Sequence, residues 1–130
     1  MYQIRLLKQS LVVVLLLLLA SACTYDYIEI PQPDPVDPTD TISFQTAIVP
    51  IFTDGSNCTA CHSTGATAPD LTASNAYSAI VPALVNTADP ESSSIYQFAH
   101  PSSSTHTWKK LTLGEAALIL AWIQQGANNN

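Results

Sequence analysis

The feature that most limits how this chain of 130 residues can fold is the pentapeptide Cys58-Thr59-Ala60-Cys61-His62. Its two thiols are three residues apart, which is about one turn of a helix, and an imidazole directly follows the second thiol. The spacing therefore gathers three side chains that bind metals or form covalent bonds on one short segment. The rest of the domain has to fold around whatever these three side chains hold.

The spacing C-x-x-C-H is the attachment signature of a c-type haem. Each thiol can form a thioether to one vinyl group of the same porphyrin, and the imidazole can then bind the iron as the proximal ligand. We therefore predict one covalent haem c per chain, attached through Cys58 and Cys61 and ligated by His62.

Two other interpretations of the motif stay open. A C-x-x-C redox pair is typical of sequences with a βαβ pattern, which this chain lacks. A zinc site would need a fourth ligand from His100 or His106, because no other His or unassigned Cys remains in the chain.

Residues 1–22 predict a secretory signal peptide. Arg5 and Lys8 precede a wholly apolar run over residues 11–20, and small residues follow it. The run is short for a membrane span, which takes about 20 residues. Residues 19–23, Leu-Ala-Ser-Ala-Cys, resemble the lipobox of bacterial lipoproteins, with Ala20 where leucine is more usual.

The lipobox resemblance implies cleavage before Cys23, diacylation of its thiol and acylation of the new amino group. Ordinary cleavage after Ala-x-Ala would cut the same bond but leave Cys23 as an odd free thiol in an exported protein, so the cysteine count favours the lipid. More than one acyl chain gives stable anchoring. We expect the chain to be exported and held on a bacterial membrane, facing the periplasm or the cell surface.

Residues 23–41 predict an extended linker that follows the lipid. Proline recurs at positions 31, 33, 35 and 38, and aspartate at 34, 37 and 40. Proline removes backbone donors and excludes helix and central strand, while the acids repel one another. At about 3.1 Å per residue, such a segment holds a domain clear of the membrane surface.

The charge balance limits the partners. After the leader, two lysines stand against all ten acidic residues, so we expect no nucleic acid, whose phosphates need Lys and Arg. An acidic surface suits transient docking on a basic patch of a redox partner protein, and it serves solubility equally well. The serines near His100 and His106 lack a Gly-x-Ser-x-Gly elbow, and no phosphate loop or dinucleotide fingerprint is present, so no enzymatic activity is predicted.

Residues 42–130 predict a single all-α domain, because apolar residues recur at helical spacing and no segment alternates like a strand. We expect four helices: residues 44–52, capped by Thr41 or Ser43 and kinked or ended at Pro50; 73–81, capped by Thr72; 90–99, capped by Asp89; and a helix after Thr112.

The last helix has the clearest signals. Thr112 and Glu115 form a capping box, and Gly126 is placed to end the helix in a left-handed conformation. Its predicted apolar stripe comprises Leu113, Ala116, Ala117, Leu120 and Ile123 or Gln124, widened by Leu118 and Trp122. The asparagines at 128–130 have nothing to bury.

The order of first helix, C-x-x-C-H, Gly/Pro loop, short helices and a closing helix with Leu-Ala-Trp-Ile-Gln-Gln-Gly-Ala resembles the class I monohaem cytochrome c domain, over about residues 42–127. The resemblance implies electron transfer, with the first and last helices crossing beside the haem. It also implies that the segment Pro69-Asp70-Leu71 lies on the proximal side. There a backbone carbonyl accepts the second nitrogen of His62, and Leu71 packs on the ring.

The chain departs from this family at the distal ligand. The family commonly uses a methionine shortly before the closing helix, whereas the only methionine here is Met1. By position, His106 is the best candidate for the sixth ligand and His100 is the second. If neither binds, the iron keeps an open position, and the chain is a haem module that binds or senses a small ligand.

Overall fold

The structure is a computed structural model that describes Gln3, Arg5, Lys8, Leu11, Asp37 and residues 40–130. The chain divides into two units, Met1–Pro31 and Gln32–Asn130. Cys23, the cleavage site before it and most of the proline-rich linker lie outside the described residues. In the part that is described, no helix has the length and apolar character needed to cross a membrane.

The described residues of the second unit form helices and loops and no strand, which confirms the all-α class. Four α-helices are joined by loops: α1 (Val49–Thr53), α2 (Ala76–Ile80), α3 (Ser94–Phe98) and α4 (Leu113–Gln124). A π-helical turn, Phe44–Ile48, leads into α1, and 3₁₀ turns cover Asp54–Ser56 and Pro90–Ser92.

The first helical segment begins as predicted and passes through Pro50. The Ser43 hydroxyl caps it by accepting a hydrogen bond from the Thr46 amide at 3.2 Å. The backbone changes from π to α geometry just before Pro50, which then occupies the first turn of α1. Proline is tolerated there because its missing amide would have no partner within the helix. Of the kink or early end expected at Pro50, the early end does not occur, since α1 runs to Thr53, and the change of helix geometry lies just before the proline.

The helix predicted for residues 90–99 is two separate pieces. Ser93 has an extended backbone (ψ 126°) between the 3₁₀ turn and α3. Its side chain is buried, and its hydroxyl accepts a hydrogen bond from the Asn86 amide at 2.9 Å. This contact with the preceding loop gives the buried hydroxyl a hydrogen-bond partner. It also interrupts the helix at a position where the local sequence alone predicts that the helix continues.

Helix α2 begins three residues later than predicted. Thr72 does not cap it, because both its hydroxyl and its amide donate to the Asp70 carboxylate, at 2.6 and 3.0 Å. A turn that starts at Thr72 comes first, and the helix then covers Ala76–Ile80, of which Ala76 and Ile80 are buried.

Both ends of α4 are as predicted. The Thr112 amide donates to Glu115 Oε2 at 2.7 Å, and the Glu115 amide donates to Thr112 Oγ1 at 3.2 Å, which completes the capping box. At the other end Gly126 has a φ of 97°, and its amide bonds the Ile123 carbonyl. The next amide, of Ala127, bonds the Trp122 carbonyl, so the helix ends in a Schellman motif.

The buried face of α4 differs from the predicted stripe. The buried residues are Ala116, Ile119, Trp122 and Ile123, whereas Ala117 is exposed and Leu113 is 53% exposed. The apolar residues of α4 lie around most of its circumference, so their spacing alone does not determine which face of the helix is buried.

The first segment packs against α4 through aromatic side chains. The Phe44 ring lies 5.1 Å from the Trp122 ring and 5.2 Å, edge-on, from the Tyr77 ring, measured between ring centres. Phe44, Ile48, Ile119 and Ile123 are fully buried with Trp122 in one core, and Tyr77 is partly buried against it. The two ends of the described domain therefore meet in its centre.

The asparagine tail is exposed, as expected, but it hydrogen-bonds the start of the domain. Asn130 Oδ1 accepts from the Phe44 amide and the Asn130 carbonyl accepts from the Ser43 hydroxyl, both at 2.8 Å. The Asn128 carbonyl accepts from the indole N–H of buried Trp122 at 3.0 Å. The Asn130 side chain thus supplies a partner for the Phe44 amide, a donor at a helix start that has none within the helix.

Candidate functional site

The C-x-x-C-H motif folds as one helical turn attached to the end of the first segment. The Cys58 amide donates to the Phe52 carbonyl at 2.9 Å, and the Cys61 and His62 amides both donate to the Cys58 carbonyl, at 3.1 and 2.9 Å. Cys58 is half-buried, Cys61 is exposed, and both are free thiols. The turn thus presents the two sulfurs and the imidazole from neighbouring positions.

Burial raises the pKa of the Cys58 thiol above its usual value, and the carboxylate of Glu115 raises it further, while Lys109 acts in the opposite direction. The thiol is therefore protonated at neutral pH. A protonated thiol is a poor nucleophile and a poor metal ligand, so this cysteine does not have the lowered pKa typical of a catalytic redox pair.

The His62 ring is oriented by the loop that follows the motif. Its Nδ1 lies 3.2 Å from the carbonyl oxygens of both Thr67 and Pro69. A carbonyl can only accept, so Nδ1 carries a proton, and in the neutral ring Nε2 is then the nitrogen with the lone pair. The contact with Pro69 is the one expected for the Pro69–Leu71 segment. Leu71 is buried in the core, and its amide donates to the His62 carbonyl at 2.9 Å.

Asp70 fixes this loop, a role that we did not predict from the sequence. Its carboxylate accepts hydrogen bonds from the hydroxyls of Thr64 and Thr72, both at 2.6 Å, from the Thr72 amide at 3.0 Å and from Asn75 Nδ2 at 2.8 Å. These bonds lower the pKa of Asp70 well below its usual range. The sequence signal was Asp-x-Thr, an arrangement in which an aspartate bonds the backbone two residues on.

His106 lies opposite His62. The centres of the two rings are 6.2 Å apart, and their planes are within 24° of parallel. The Nδ1 of His106 bonds the backbone carbonyl of Lys109, so the two histidines share the same tautomer. Within the described residues, neither Nε2 atom has a hydrogen-bond partner. Each ring therefore keeps one nitrogen free to bind a metal.

His100, the second candidate, is in a different place. Its Nδ1 bonds the Ser102 hydroxyl at 2.7 Å, and its ring packs edge-on against Tyr96, with ring centres 5.0 Å apart. It lines a polar cleft that also contains Asp89 and Glu91, whereas His62 lies elsewhere. The structure thus brings His106 to His62 and leaves His100 apart.

An apolar groove lies beside the two histidines. A cavity of about 280 Å³ is lined by His62, His106, Ala68, Pro69, Leu84, Ser94, Ile95, Phe98 and Ala99. A smaller cavity of about 40 Å³ shares His106, Ile95 and Ala99 with it and reaches Cys58. The groove therefore runs from the imidazole pair to the half-buried thiol. Cys61 lines neither cavity.

The 6.2 Å between the two ring centres is close to the separation of two axial ligands of one metal ion. At metal–nitrogen bonds of about 2 Å, two imidazoles on opposite sides of an ion have ring centres about 6 Å apart. Among the described residues, no three side chains of His, Cys, Asp or Glu are grouped as metal ligands. A pair of imidazoles beside an apolar groove and two thiols fits a haem, because the porphyrin itself supplies four nitrogen ligands.

Comparison with known proteins gave no match to a family model, to a curated protein or to a solved structure.

Proposed function

We propose that this chain is a membrane-anchored monohaem c-type cytochrome that transfers electrons. Cys58 and Cys61 would hold the porphyrin through thioethers, and His62 and His106 would be the axial ligands. Pro69 supports the proximal side through its carbonyl, and the buried side chain of Leu71 fixes the backbone behind His62.

The observation that carries this proposal is the imidazole pair. His62 and His106 are parallel within 24° with ring centres 6.2 Å apart, and both Nδ1 atoms are held by backbone carbonyls. Such carbonyl contacts orient a metal-bound histidine and raise its basicity. Because each Nδ1 is bonded to a carbonyl, each Nε2 remains available as a metal ligand.

The groove supports haem over the zinc interpretation of the same motif. Its larger cavity is lined mainly by apolar side chains, among them Leu84, Ile95 and Phe98. A zinc ion takes four protein ligands in a closed structural site, and such a site does not require an apolar groove beside it. A planar porphyrin needs such a surface, since most of its area is apolar.

Haem iron alternates between the ferric and ferrous states and so supplies one-electron redox chemistry. Two histidine ligands would leave no vacant coordination position on the iron, which favours electron transfer over binding of a small ligand. Because methionine ligation raises the reduction potential, this chain should have a lower potential than a His/Met cytochrome.

The remaining parts of the proposal come from the sequence. Cys23 would carry the lipid that anchors the exported chain to a bacterial membrane, and residues 24–41 would separate the haem domain from its surface. The excess of acidic residues suits transient docking on a basic patch of a redox partner protein.

The deciding experiment is to express the full chain in a bacterial host that has the cytochrome c maturation machinery. We expect peroxidase-type haem staining to persist on a denaturing gel, and the intact mass to include one haem. The Cys58→Ser/Cys61→Ser variant should lose both signals. Absence of haem mass on the wild-type peptide that contains residues 58–62 would overturn the proposal.

A further inference from the structure

The proposed distal ligand lies on a loop that contains no helix. Residues 99–111 connect α3 to α4, and the loop is closed at its base by a hydrogen bond from the Leu111 amide to the Ala99 carbonyl at 2.8 Å. Most of the side-chain hydrogen bonds within the loop join close neighbours, such as His100 with Ser102 and Ser103 with Thr105. Such local contacts do not fix where His106 lies relative to His62.

Lys110 supplies the contact that spans this loop. Its ammonium donates to the Pro101 carbonyl at 3.1 Å and also to the Ser103 carbonyl, nine and seven residues earlier in the chain. Among the described residues, no other side chain hydrogen-bonds across this loop over so many residues. Lys110 is half-buried and lines the small cavity beside Cys58 together with His106. Charged donors make the stronger hydrogen bonds, so these two bonds tie the first half of the loop to its end.

Building on the proposed function, we infer that Lys110 is a positioning residue for the distal ligand. Its ammonium joins residues 101 and 103 to the base of α4 and thereby keeps the His106 ring parallel to that of His62. Loss of the ammonium leaves the loop closed only at its base. His106 then spends more time away from the iron, and an external ligand reaches the sixth position more often.

Arginine at position 110 provides the matched control. Lys110→Arg keeps a charged donor that can bond the same two carbonyls, so it should keep the loop tied. Lys110→Met removes the charge as well as the hydrogen bonds. Salt screens an effect of net charge alone, so both variants are measured at low and at high ionic strength.

The test measures CO binding to the full-length ferrous protein by stopped flow, together with the ferric spectrum and the covalent haem content. We expect Lys110→Met to bind CO at least about tenfold faster than wild type, with a larger high-spin fraction. Lys110→Arg, which keeps a charged donor, should remain near wild type, and the difference between the two variants should persist at high salt. If Lys110→Met does not fold, Lys110→Gln takes its place, with the same expected acceleration.

The outcomes separate the two proposals. Equal CO rates in the Lys110→Met and wild-type proteins, both carrying covalent haem, would overturn the role of Lys110 and leave the haem assignment standing. The role of Lys110 would also be overturned if CO bound to the wild-type protein as fast as to a His106→Ala variant. Lack of covalent haem in the wild-type chain would instead overturn the proposed function.

Discussion

At the scale of single residues, the candidate site depends on two imidazoles whose second nitrogens are both held by backbone carbonyls. His62 could be predicted from the motif, and His106 from its distance to the last helix. The two carbonyls that orient these rings belong to Pro69 and Lys109, and they could not be predicted from the sequence. The direction of each carbonyl depends on a loop conformation that no local pattern specifies. The role of Asp70 was only partly open to prediction: the local pattern Asp-x-Thr indicates its bond with the Thr72 amide, whereas its bonds with Thr64 and Asn75 depend on the loop conformation.

The distal ligand is tested by comparing two histidine variants. We expect His106→Ala to open the sixth coordination position, because its ring faces His62, and His100→Ala to leave it filled, because its ring packs on Tyr96. CO association with the ferrous protein should be at least about tenfold faster in His106→Ala only. An unchanged spectrum in His106→Ala combined with an altered one in His100→Ala would reverse the assignment.

Asp70 predicts a dependence of stability on pH. Hydrogen bonds lower its pKa in the folded chain, so the carboxylate stabilises the fold above the usual aspartate range, at about pH 4 and higher. That stabilisation is lost progressively as the pH falls below that range, because the folded state then has to take up a proton against its hydrogen bonds.

Denaturant unfolding at several pH values provides the measurement. Asp70→Asn should be less stable than wild type at pH 7, and the difference should shrink as the pH falls from about 5 toward 2. Asp89→Asn is the control, since the Asp89 carboxylate is exposed and accepts no hydrogen bond in the described part of the chain. A constant difference across this pH range would contradict the role of Asp70.

At the scale of helices, sequence signals located the ends of α4 better than its buried face. Thr112, Glu115 and Gly126 act locally, and both ends of α4 are where they predict. The buried face depends instead on what the helix packs against, so Ile119 is buried where Ala117 was expected. The break at Ser93 has a similar cause, because a hydrogen bond with Asn86, seven residues earlier, overrides helix propensity.

The capping box of α4 makes a quantitative prediction. Thr112→Ala removes the hydroxyl that accepts from the Glu115 amide, and it should lower the free energy of unfolding by about 1 kcal/mol. Thr87→Ala is the matched control, because Thr87 is exposed and its hydroxyl has no partner among the described residues. Equal stabilities of the two variants in denaturant titrations would show that the cap contributes nothing.

At the scale of the whole molecule, the lipid anchor is the part that only the sequence supports. If Cys23 carries the acyl chains, Cys23→Ser should move the haem protein from the membrane fraction to the soluble fraction, because the linker alone has no apolar run that holds it there. Fractionation followed by haem staining gives the answer. A variant that stays with the membrane, while its spectrum is unchanged, would mean that another segment provides the anchor.

The described domain is small, and its core lies at one end of an apolar groove. Phe44, Trp122 and the isoleucines around them are fully buried, but Phe98, which lines the groove, is 58% exposed. A domain of fewer than 100 residues buries too little apolar surface for a large margin of stability. Haem attached to Cys58 and Cys61 would cover the groove, so the chain without it should be poorly folded.

We expect Cys58→Ser/Cys61→Ser to show weak helical circular dichroism and no sharp thermal transition, whereas the matured wild-type chain should show strong helical circular dichroism and a sharp transition. Thr87→Ala, matured in the same host, controls for the effect of a surface substitution. A cooperative transition with native helical content in the double variant would mean that the side chains alone stabilise the fold, and that the groove needs no occupant.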